Sequence, residues 1–219
     1  MYFLEGNIGV GKTTFLSLLP EYLPDLDIVP EPVDIWDRSV FGQSLLANFY
    51  ANPNRWAYTL ETLTLICRSQ DHLREQKKTN HKRLLERSIY SGHYCFATTG
   101  FKNKCLSEIE WDIYNKWVNF LIHKQCLPPR GFVYLKATPE TCFDRVQKRN
   151  RPAEESLTLK YLKQVDIVHD DFLVHKKGLS KNLQQIPTLV LDCNEDFLHN
   201  PKNMRKHAEK LSGFMQNPR

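Results

Sequence analysis

GNIGVGKT occupies residues 6–13 and matches the phosphate-loop pattern G-x-x-x-x-G-K-[ST] at every specified position. The short apolar segment Tyr2-Phe3-Leu4 comes directly before it, and a helical pattern follows it. This order predicts a strand, a glycine turn and a helix, whose backbone N–H groups converge on a polyphosphate. We therefore expect a nucleoside triphosphate to bind at Gly6, Asn7, Ile8, Gly9, Val10, Gly11, Lys12, Thr13 and Thr14.

Two side chains of this loop carry specific chemistry. Lys12 can reach the β- and γ-phosphate oxygens of a bound triphosphate, where it stabilises negative charge. The hydroxyl of Thr13 is placed to ligate Mg²⁺, so that ATP, or another nucleoside triphosphate, with Mg²⁺ is the expected cofactor pair.

Composition limits the possible architectures. The 219 residues are 41% hydrophobic and 25% charged, which fits a single α/β domain spanning residues 1–219. The net charge of +5 suits anionic ligands, but the basic residues are dispersed, which argues against nucleic acid as a partner. No apolar run approaches the length of a membrane span, so no membrane partner is expected.

The cysteines and the start of the chain indicate a compartment. Six cysteines are scattered without a C-x-x-C pair, which predicts reduced packing residues. Because the first predicted strand begins at Tyr2, no leader peptide is expected. The expected compartment is the cytoplasm.

Short apolar runs alternate with longer helical patterns, which predicts a parallel sheet flanked by helices. The predicted strands centre on Tyr2–Leu4, Ile28–Val29, Leu84–Leu85, Phe132–Leu135 and Leu189–Leu191. The last two are continuously apolar and are expected to be central strands. The predicted helices span 13–19, 42–51, 54–76, 94–99, 108–124, 139–149, 159–174 and 200–215.

Polar side chains follow two of these strands. Glu31 ends the second strand region, where a carboxylate can take the proton of an alcohol as a phosphoryl group transfers. Glu86 and Arg87 end the third, where Glu86 could hold Mg²⁺ and Arg87 could grip a phosphoryl group. A solvated loop glutamate and an ordinary ion pair closing a strand are the competing interpretations.

A basic cluster lies between 145 and 156, after the helix-start signal ATPET at 137–141. Arg145 and Arg149 share a helix face, and Arg151 lies in the polar loop beyond it. Such arginines can fold over a polyphosphate as a short lid and exclude water. A solvated basic face is the alternative.

The long predicted helix carries candidates for the acceptor. Glu61, Thr64 and Arg68 lie on one of its faces, and Tyr50 lies just upstream. Trp36 and Phe96 could supply flat apolar walls for a nucleobase. A weak Glu61–Arg68 pair on a half-exposed helix is the structural alternative.

Several motifs together resemble one family, the deoxynucleoside kinases. They are GNIGVGKT at 6–13, EPV at 31–33 with Trp36, NPNRW at 52–56, ERSIYS at 86–91, ATPETC at 137–142 and LDCNEDF at 191–197. The resemblance covers nearly the whole chain. It implies a P-loop kinase fold with a parallel five-stranded sheet, phosphorylation of the 5′-hydroxyl of a deoxynucleoside, and a homodimer.

The resemblance also implies roles for individual residues. Glu31 would be the base for the 5′-hydroxyl, Arg87 would contact the 5′ region, and Tyr50 with Glu154 would hold the sugar 3′-hydroxyl. Trp36, Leu46 and Phe96 would line the base pocket. Arg145, Arg149 and Arg151 would form the lid, and Glu195, Asp196 and Phe197 would surround the adenine of the donor.

Two departures from the family pattern bear on the preferred base. Glu61 stands where a glutamine is usual, and Gly92 stands where the deoxycytidine type has an aspartate that pairs with Arg68. An ionised carboxylate only accepts hydrogen bonds, which favours the two donors of a guanine edge. Arg68 could then donate to guanine O6 and N7. Alternatively, Glu61 neutralises Arg68, and Gly92 leaves room for a pyrimidine with a 5-substituent.

Three other functional classes fit the sequence less well. A thymidylate-type kinase shares the opening pattern of residues 3–14, but it usually has D-R-Y where this chain has ERS at 86–88. A catalytically silent respiratory-complex subunit of the same fold would not need Lys12, Thr13, Glu31 and Arg87. A GTPase is disfavoured because NKWV at 115–118 lacks the aspartate of an N-K-x-D loop.

Overall fold

The computed structural model of the protein describes residues 1–37, 44–78 and 82–216. A parallel β-sheet lies at its centre, with the order β2-β3-β1-β4-β5 and every neighbouring pair parallel. Its strands are β1 (Tyr2–Glu5), β2 (Asp27–Val29), β3 (Arg83–Glu86), β4 (Gly131–Lys136) and β5 (Thr188–Asp192).

The prediction of a five-stranded parallel sheet is confirmed, but the prediction of a central position for the last strand is wrong. β4 lies between β1 and β5, whereas β5 is an edge strand and its Val190 is 42% exposed. An apolar run indicates burial, but it contains no information about which strands become hydrogen-bonded neighbours.

Helices and helical turns connect the strands. The α-helices are α1 (Lys12–Leu18), α2 (Asp34–Asp37), α3 (Leu45–Ala51), α4 (Pro53–Glu75), α5 (Ile89–Ser91), α6 (Thr98–Lys102), α7 (Glu108–Phe120), α8 (Pro139–Arg149), α9 (Leu159–Leu173), α10 (Lys181–Gln184) and α11 (Pro201–Gln216). Two segments are π-helical, Gly92–Ala97 and Leu121–Gln125, and two are 3₁₀ turns, Leu19–Glu21 and Pro152–Glu154. Within the described ranges, none of the helices has both the length and the apolar character required to cross a membrane.

Most predicted helices are confirmed to within one or two residues, and α8 has the predicted bounds. The helix predicted over 42–51 begins at Leu45, where Ser44 caps it by accepting from the N–H of Ala47; residues 42 and 43 lie outside the described residues. The short segment predicted over 94–99 is part of a longer helical stretch, α5 to α6. The sequence patterns did not predict α2 and α10.

Both faces of the sheet are covered. Side chains of β1 alternate, so that Tyr2 and Leu4 join one buried cluster with Phe15, while Phe3 joins another with Phe172. This arrangement is typical of a parallel sheet between helical layers. In such sheets functional groups gather where the strands end. The phosphate loop and Glu31 follow the carboxyl ends of β1 and β2, and Glu86-Arg87 lies at the carboxyl end of β3.

Candidate active site

The phosphate loop has the predicted strand–turn–helix form. Gly9 and Gly11 have φ angles of 82° and 103°, in the left-handed region that glycine favours. A Cβ atom on Gly9 would lie 2.3 Å from the carbonyl oxygen of Cys142, so that only glycine fits there. Asn7 anchors the loop because its side-chain amide donates to the carbonyl of Leu162 at 3.0 Å.

Lys12 points back into this loop. Its Nζ donates to the carbonyl oxygens of Gly6 at 3.1 Å and Asn7 at 2.9 Å. Burial, and then the positive charge of Arg87, lowers the pKa of Lys12 to about 7. A polyphosphate at the loop would provide the missing negative charge and would favour the protonated amine.

Glu31 lies between two arginines. Arg68 donates to its Oε1 from Nε at 3.0 Å and from Nη2 at 2.5 Å, and Arg87 donates to its Oε2 from Nε at 3.2 Å. Burial by itself would raise the pKa of Glu31, but the two guanidinium groups outweigh it and hold that pKa below its usual value. Glu31 is therefore an ionised, acceptor-only carboxylate inside the cleft.

Arg87 also reaches the phosphate loop, because its Nη1 donates to the carbonyl of Gly6 at 3.1 Å. Its backbone has a φ of 61°, which is unusual for a residue with a side chain and costs conformational energy. Such strain is concentrated at functional sites, and here it directs the guanidinium toward Glu31 and Gly6.

Thr13 and Glu86 meet at the same end of the sheet. The Thr13 hydroxyl donates to Glu86 Oε1 at 3.2 Å, and the N–H of Glu31 donates to Glu86 Oε2 at 3.4 Å. A hydroxyl and a carboxylate beside a phosphate loop are the donor types that Mg²⁺ takes from P-loop proteins. The two residues predicted to bind the metal are thus neighbours.

The residues predicted for the base pocket lie in the same cleft. Trp36, Leu46 and Phe96 line it, and the guanidinium carbon of Arg87 lies 4.6 Å from the centre of the Phe96 ring. Phe96 is part of the π-helical turn Gly92–Ala97, a distortion often found at functional sites.

Among the described residues Arg68 forms its close ion pair with Glu31, and the charge of Glu61 acts on Arg68 from a longer distance. Two nitrogens of Arg68 contact Glu31, which leaves the Nη1 of Arg68 to donate to a nucleobase. The sequence had predicted that two nitrogens of Arg68 would donate to guanine O6 and N7. That Nη1 is buried beside Gly92, where a Cβ atom would lie 2.8 Å away.

Glu61 lines the cleft and is 5% exposed. Burial raises its pKa to about 7, against the opposing effects of Arg68 and Arg87. A carboxyl with this pKa changes between a neutral donor–acceptor and an ionised acceptor near neutral pH. The sequence alone predicted only the ionised form.

The pair predicted for the sugar also faces the cleft. Tyr50 and Glu154 line it, and burial, together with the nearby carboxylate of Glu154, raises the pKa of Tyr50. Glu154 is buried and accepts from Arg149 Nη2 at 2.5 Å and Arg151 Nη1 at 3.2 Å.

The predicted lid arginines therefore have different partners. Arg145 donates from Nη1 to the carbonyl of Val10 in the phosphate loop at 3.1 Å. Arg149 and Arg151 are held by Glu154 instead. All three line the cleft, and Arg149 is also exposed to solvent.

The segment predicted to surround the donor base lies beside the phosphate loop. The ring of Phe197 is so close to Gly11 that a Cβ there would lie 2.9 Å from its Cζ. Asp196 also lines the cleft, whereas the side chain of Glu195 accepts from Asn203 Nδ2 at 3.0 Å.

One charged residue of this region was missed by sequence reasoning. Glu5 ends β1 and is fully buried next to Ser88 and Ser91, and burial raises its pKa. An acid at the end of an apolar strand, directly before a glycine loop, is the signal that could have identified it.

Most of the predicted site residues thus line one cleft of about 680 Å³. This size is within the range of about 300–1,000 Å³ that ligand pockets usually have. Gly6, Asn7 and Val10 contribute backbone around it, and Gly92 lies behind Arg68.

Comparisons with known proteins show which family this chain resembles. The deoxynucleoside kinase family profile matches residues 3–216. The chain is 34% identical to human deoxycytidine kinase, with 97% of this chain and 89% of that protein covered. It is 35% identical to the mitochondrial deoxyguanosine kinase of Xenopus laevis, with coverage of 90% and 82%. Its identity to deoxycytidine kinase 2 of Gallus gallus is 32%, with coverage of 97% and 89%.

A match along nearly the whole chain, together with an intact phosphate loop and an acid beside it in one cleft, leaves one assignment: the chain belongs to the deoxynucleoside kinase family and is a kinase that takes its phosphoryl group from a nucleoside triphosphate.

Proposed function

We propose that the protein transfers the γ-phosphoryl group of ATP to the 5′-hydroxyl of a deoxynucleoside, with deoxyguanosine modestly preferred. The observation that carries this proposal is the buried contact of Glu31 with Arg87, which also contacts the phosphate loop through Gly6. A base and a phosphate-stabilising group are thereby held within one cleft.

Glu31 is the proposed catalytic base. The 5′ O–H bond breaks as the proton moves to the Glu31 carboxylate, while the 5′ oxygen bonds to the γ-phosphorus. The bond between that phosphorus and the bridging oxygen breaks, and ADP leaves with the bond electrons. Lys12 and Arg87 stabilise the charge on the moving group, and positioning supplies much of the rate.

Thr13 and Glu86 are the proposed residues for Mg²⁺. Their contact at 3.2 Å, with both side chains in the cleft, supports this role. When bound, Mg²⁺ would neutralise charge on the phosphate oxygens.

The preference for guanine rests on Glu61 and Arg68. Ionised Glu61 would accept from the two donors on the guanine edge, and the free Nη1 of Arg68 would donate to an acceptor on the same base. The space beside Gly92 is occupied by Arg68 Nη1, which would lie 2.8 Å from a Cβ atom there, so the second candidate base, a pyrimidine with a 5-substituent, would require Arg68 to move.

Tyr50 and Glu154 are proposed to hold the 3′-hydroxyl, since both line the cleft. Arg145 is proposed to contact the phosphates of the donor, and Asp196 and Phe197 to flank its adenine. Arg149 and Arg151 would join Arg145 if Glu154 released them.

We propose that residues 1–219 act as one domain, with a lid over about 145–156.

A homodimer is the proposed assembly. α7 has an exposed apolar face made of Ile109, Ile113, Trp117 and Phe120, of which Ile109 is 74% and Trp117 54% exposed. Their spacing places them along one side of the helix. A second copy covering this face would remove it from water. Sedimentation of the native protein and of Trp117→Glu would test the proposed dimer.

The cytoplasmic location stays a prediction, for which cell fractionation is the test.

A substrate panel tests the proposed reaction. ADP release would be measured with ATP and Mg²⁺ against each deoxynucleoside, each ribonucleoside and the corresponding monophosphates. The proposal expects the highest kcat/KM with a deoxynucleoside. A preference for thymidylate or another monophosphate would overturn it, as would ATP turnover with no acceptor dependence.

A further inference from the structure

A second cavity of about 230 Å³ adjoins the main cleft. The two share a wall formed by Phe49, Tyr50, Glu61, Phe96 and Tyr161. The far side of the second cavity is formed by the segment after α6 and by the segment before α9, including Asn103, Cys105, Ser156, Leu157 and Thr158.

The volume of this cavity indicates what it can hold. Pockets that bind a whole small molecule usually enclose about 300–1,000 Å³. At about 230 Å³ the second cavity is below that range, and it shares its wall with the main cleft. Its geometry fits an extension of a ligand already seated in the main cleft better than an independent ligand.

The lining of the cavity selects for apolar groups. The Asn103 amide is already paired with Gln164, through hydrogen bonds of 3.0 and 3.1 Å. The Thr158 hydroxyl is also engaged, since it accepts from the N–H of Tyr161 at 3.2 Å. Much of the remaining wall is apolar and includes Phe49, Ala57, Phe96 and Leu157.

Glu61 is the ionisable carboxyl group in the wall that the two cavities share. Its side chain is buried and belongs to the walls of both cavities. In the proposed function, the hydrogen-bonding edge of the base meets Glu61 while its face lies against Phe96. A group attached to that edge would have to continue past Glu61 and would enter the second cavity.

We propose that the second cavity receives an apolar substituent carried on the exocyclic nitrogen of the nucleobase, so that the enzyme phosphorylates N-alkyl and N-benzyl deoxynucleosides. The exocyclic nitrogen of such a substrate keeps one N–H, which can donate to Glu61. This inference rests on the proposed function, because it assumes that the base lies between Glu61 and Phe96.

The first experiment compares parent and substituted substrates. kcat/KM would be measured for deoxyguanosine, deoxyadenosine and deoxycytidine and for the N-benzyl derivative of each. For the preferred base, the benzyl derivative should retain kcat/KM to within about tenfold of its parent. A loss greater than about a thousandfold for every derivative would overturn the inference.

Cys105 allows the cavity to be filled without touching the main cleft. It is half-buried, whereas the other five cysteines of the chain are buried. Treatment with benzyl methanethiosulfonate should therefore attach a benzylthio group at Cys105, as mass spectrometry would verify. Cys105→Phe would fill the cavity by mutation.

The filled cavity should discriminate between the two substrates. We expect modification to lower kcat/KM for the benzyl derivative by about tenfold or more, while the parent changes by less than about threefold. The Cys105→Ser protein, treated in the same way, should show neither effect. Equal losses for both substrates, or no loss for either, would overturn the inference.

The two proposals fail in different ways. If the parent nucleosides are not phosphorylated, the proposed function is wrong. If they are phosphorylated but the benzyl derivatives are not, only the role of the second cavity is wrong.

Discussion

Arg87 contacts the proposed catalytic base and the phosphate loop at the same time. Its Nε donates to Glu31 Oε2 at 3.2 Å, and its Nη1 donates to the carbonyl of Gly6 at 3.1 Å. Two separate nitrogens of one planar guanidinium make these contacts, and the left-handed backbone of Arg87 directs it. A lysine has a single nitrogen and cannot reproduce this geometry.

Arg87→Lys should therefore lower kcat strongly. We expect a loss of about 10²–10³, because a donor aimed at developing charge is removed while a positive charge remains. Arg205→Lys, at an exposed position on α11, is the matched control and should behave like the native protein. Native turnover in Arg87→Lys would show that two separate donor nitrogens on this side chain are not required.

Glu31→Gln should separate chemistry from binding. Gln keeps an oxygen that can accept from Arg68, but it cannot take a proton, so kcat should fall by about 10²–10⁴. The nucleoside dissociation constant, measured by calorimetry, should change much less. The exposed Glu209→Gln serves as the control. Turnover at the native rate would remove Glu31 from its assigned role.

Triphosphate binding should be linked to proton uptake by Lys12. Its pKa in the free protein is about 7, so at pH 8 the amine is mainly neutral. Bound phosphates favour the charged amine, so Lys12 should take up about one proton when the triphosphate binds at pH 8. Affinity should accordingly weaken as the pH rises above 7.

The measurement is calorimetry in two buffers with different ionisation enthalpies at pH 8. A binding enthalpy that depends on the buffer, with the sign of proton uptake, is the expected result. The linkage should diminish at pH 6, where Lys12 is already protonated. Identical enthalpies in both buffers at pH 8 would rule out the linkage.

The choice of base should depend on the protonation of Glu61. Below its pKa of about 7, Glu61 is neutral and resembles the glutamine usual in the family; above it, the carboxylate only accepts. The ratio of kcat/KM for deoxyguanosine to that for deoxycytidine should therefore rise between pH 6 and pH 8. Because both substrates meet the same Lys12, its titration cancels in the ratio.

Glu61→Gln is the control for this pH dependence. The variant has no titrating group at this position, so its ratio should stay flat and should resemble the native ratio at low pH. The same pH dependence in both proteins, or an unchanged ranking of the substrates after substitution, would contradict a role for Glu61 in base selection.

Local patterns predicted much of the fold. The phosphate loop was predictable because its glycines, Lys12 and the preceding apolar strand are consecutive in sequence. α8 was predictable because Thr138 caps it and Pro139 begins it. The edge position of β5 was not, because strand order depends on contacts between segments that are distant in the chain.

The sequence predicted which residues form the site better than it predicted which of them contact each other. Glu31, Glu61 and Arg68 were predicted as site residues, yet the partner of Arg68 proved to be Glu31 rather than Glu61. The competition of two acids for one guanidinium is decided by three-dimensional distance. The left-handed backbone of Arg87, the π-helical turn that carries Phe96 and the burial of Glu5 likewise arise from tertiary packing.

The most direct test of the account follows the phosphoryl group itself. The purified protein would be incubated with Mg²⁺, γ-³²P-labelled ATP and each deoxynucleoside, and the labelled product would be identified by chromatography. If Glu31 activates the 5′-hydroxyl, the label should appear in the deoxynucleoside 5′-monophosphate and should be lost in Glu31→Gln. Label released only as inorganic phosphate, or transferred only to nucleoside monophosphates, would contradict it.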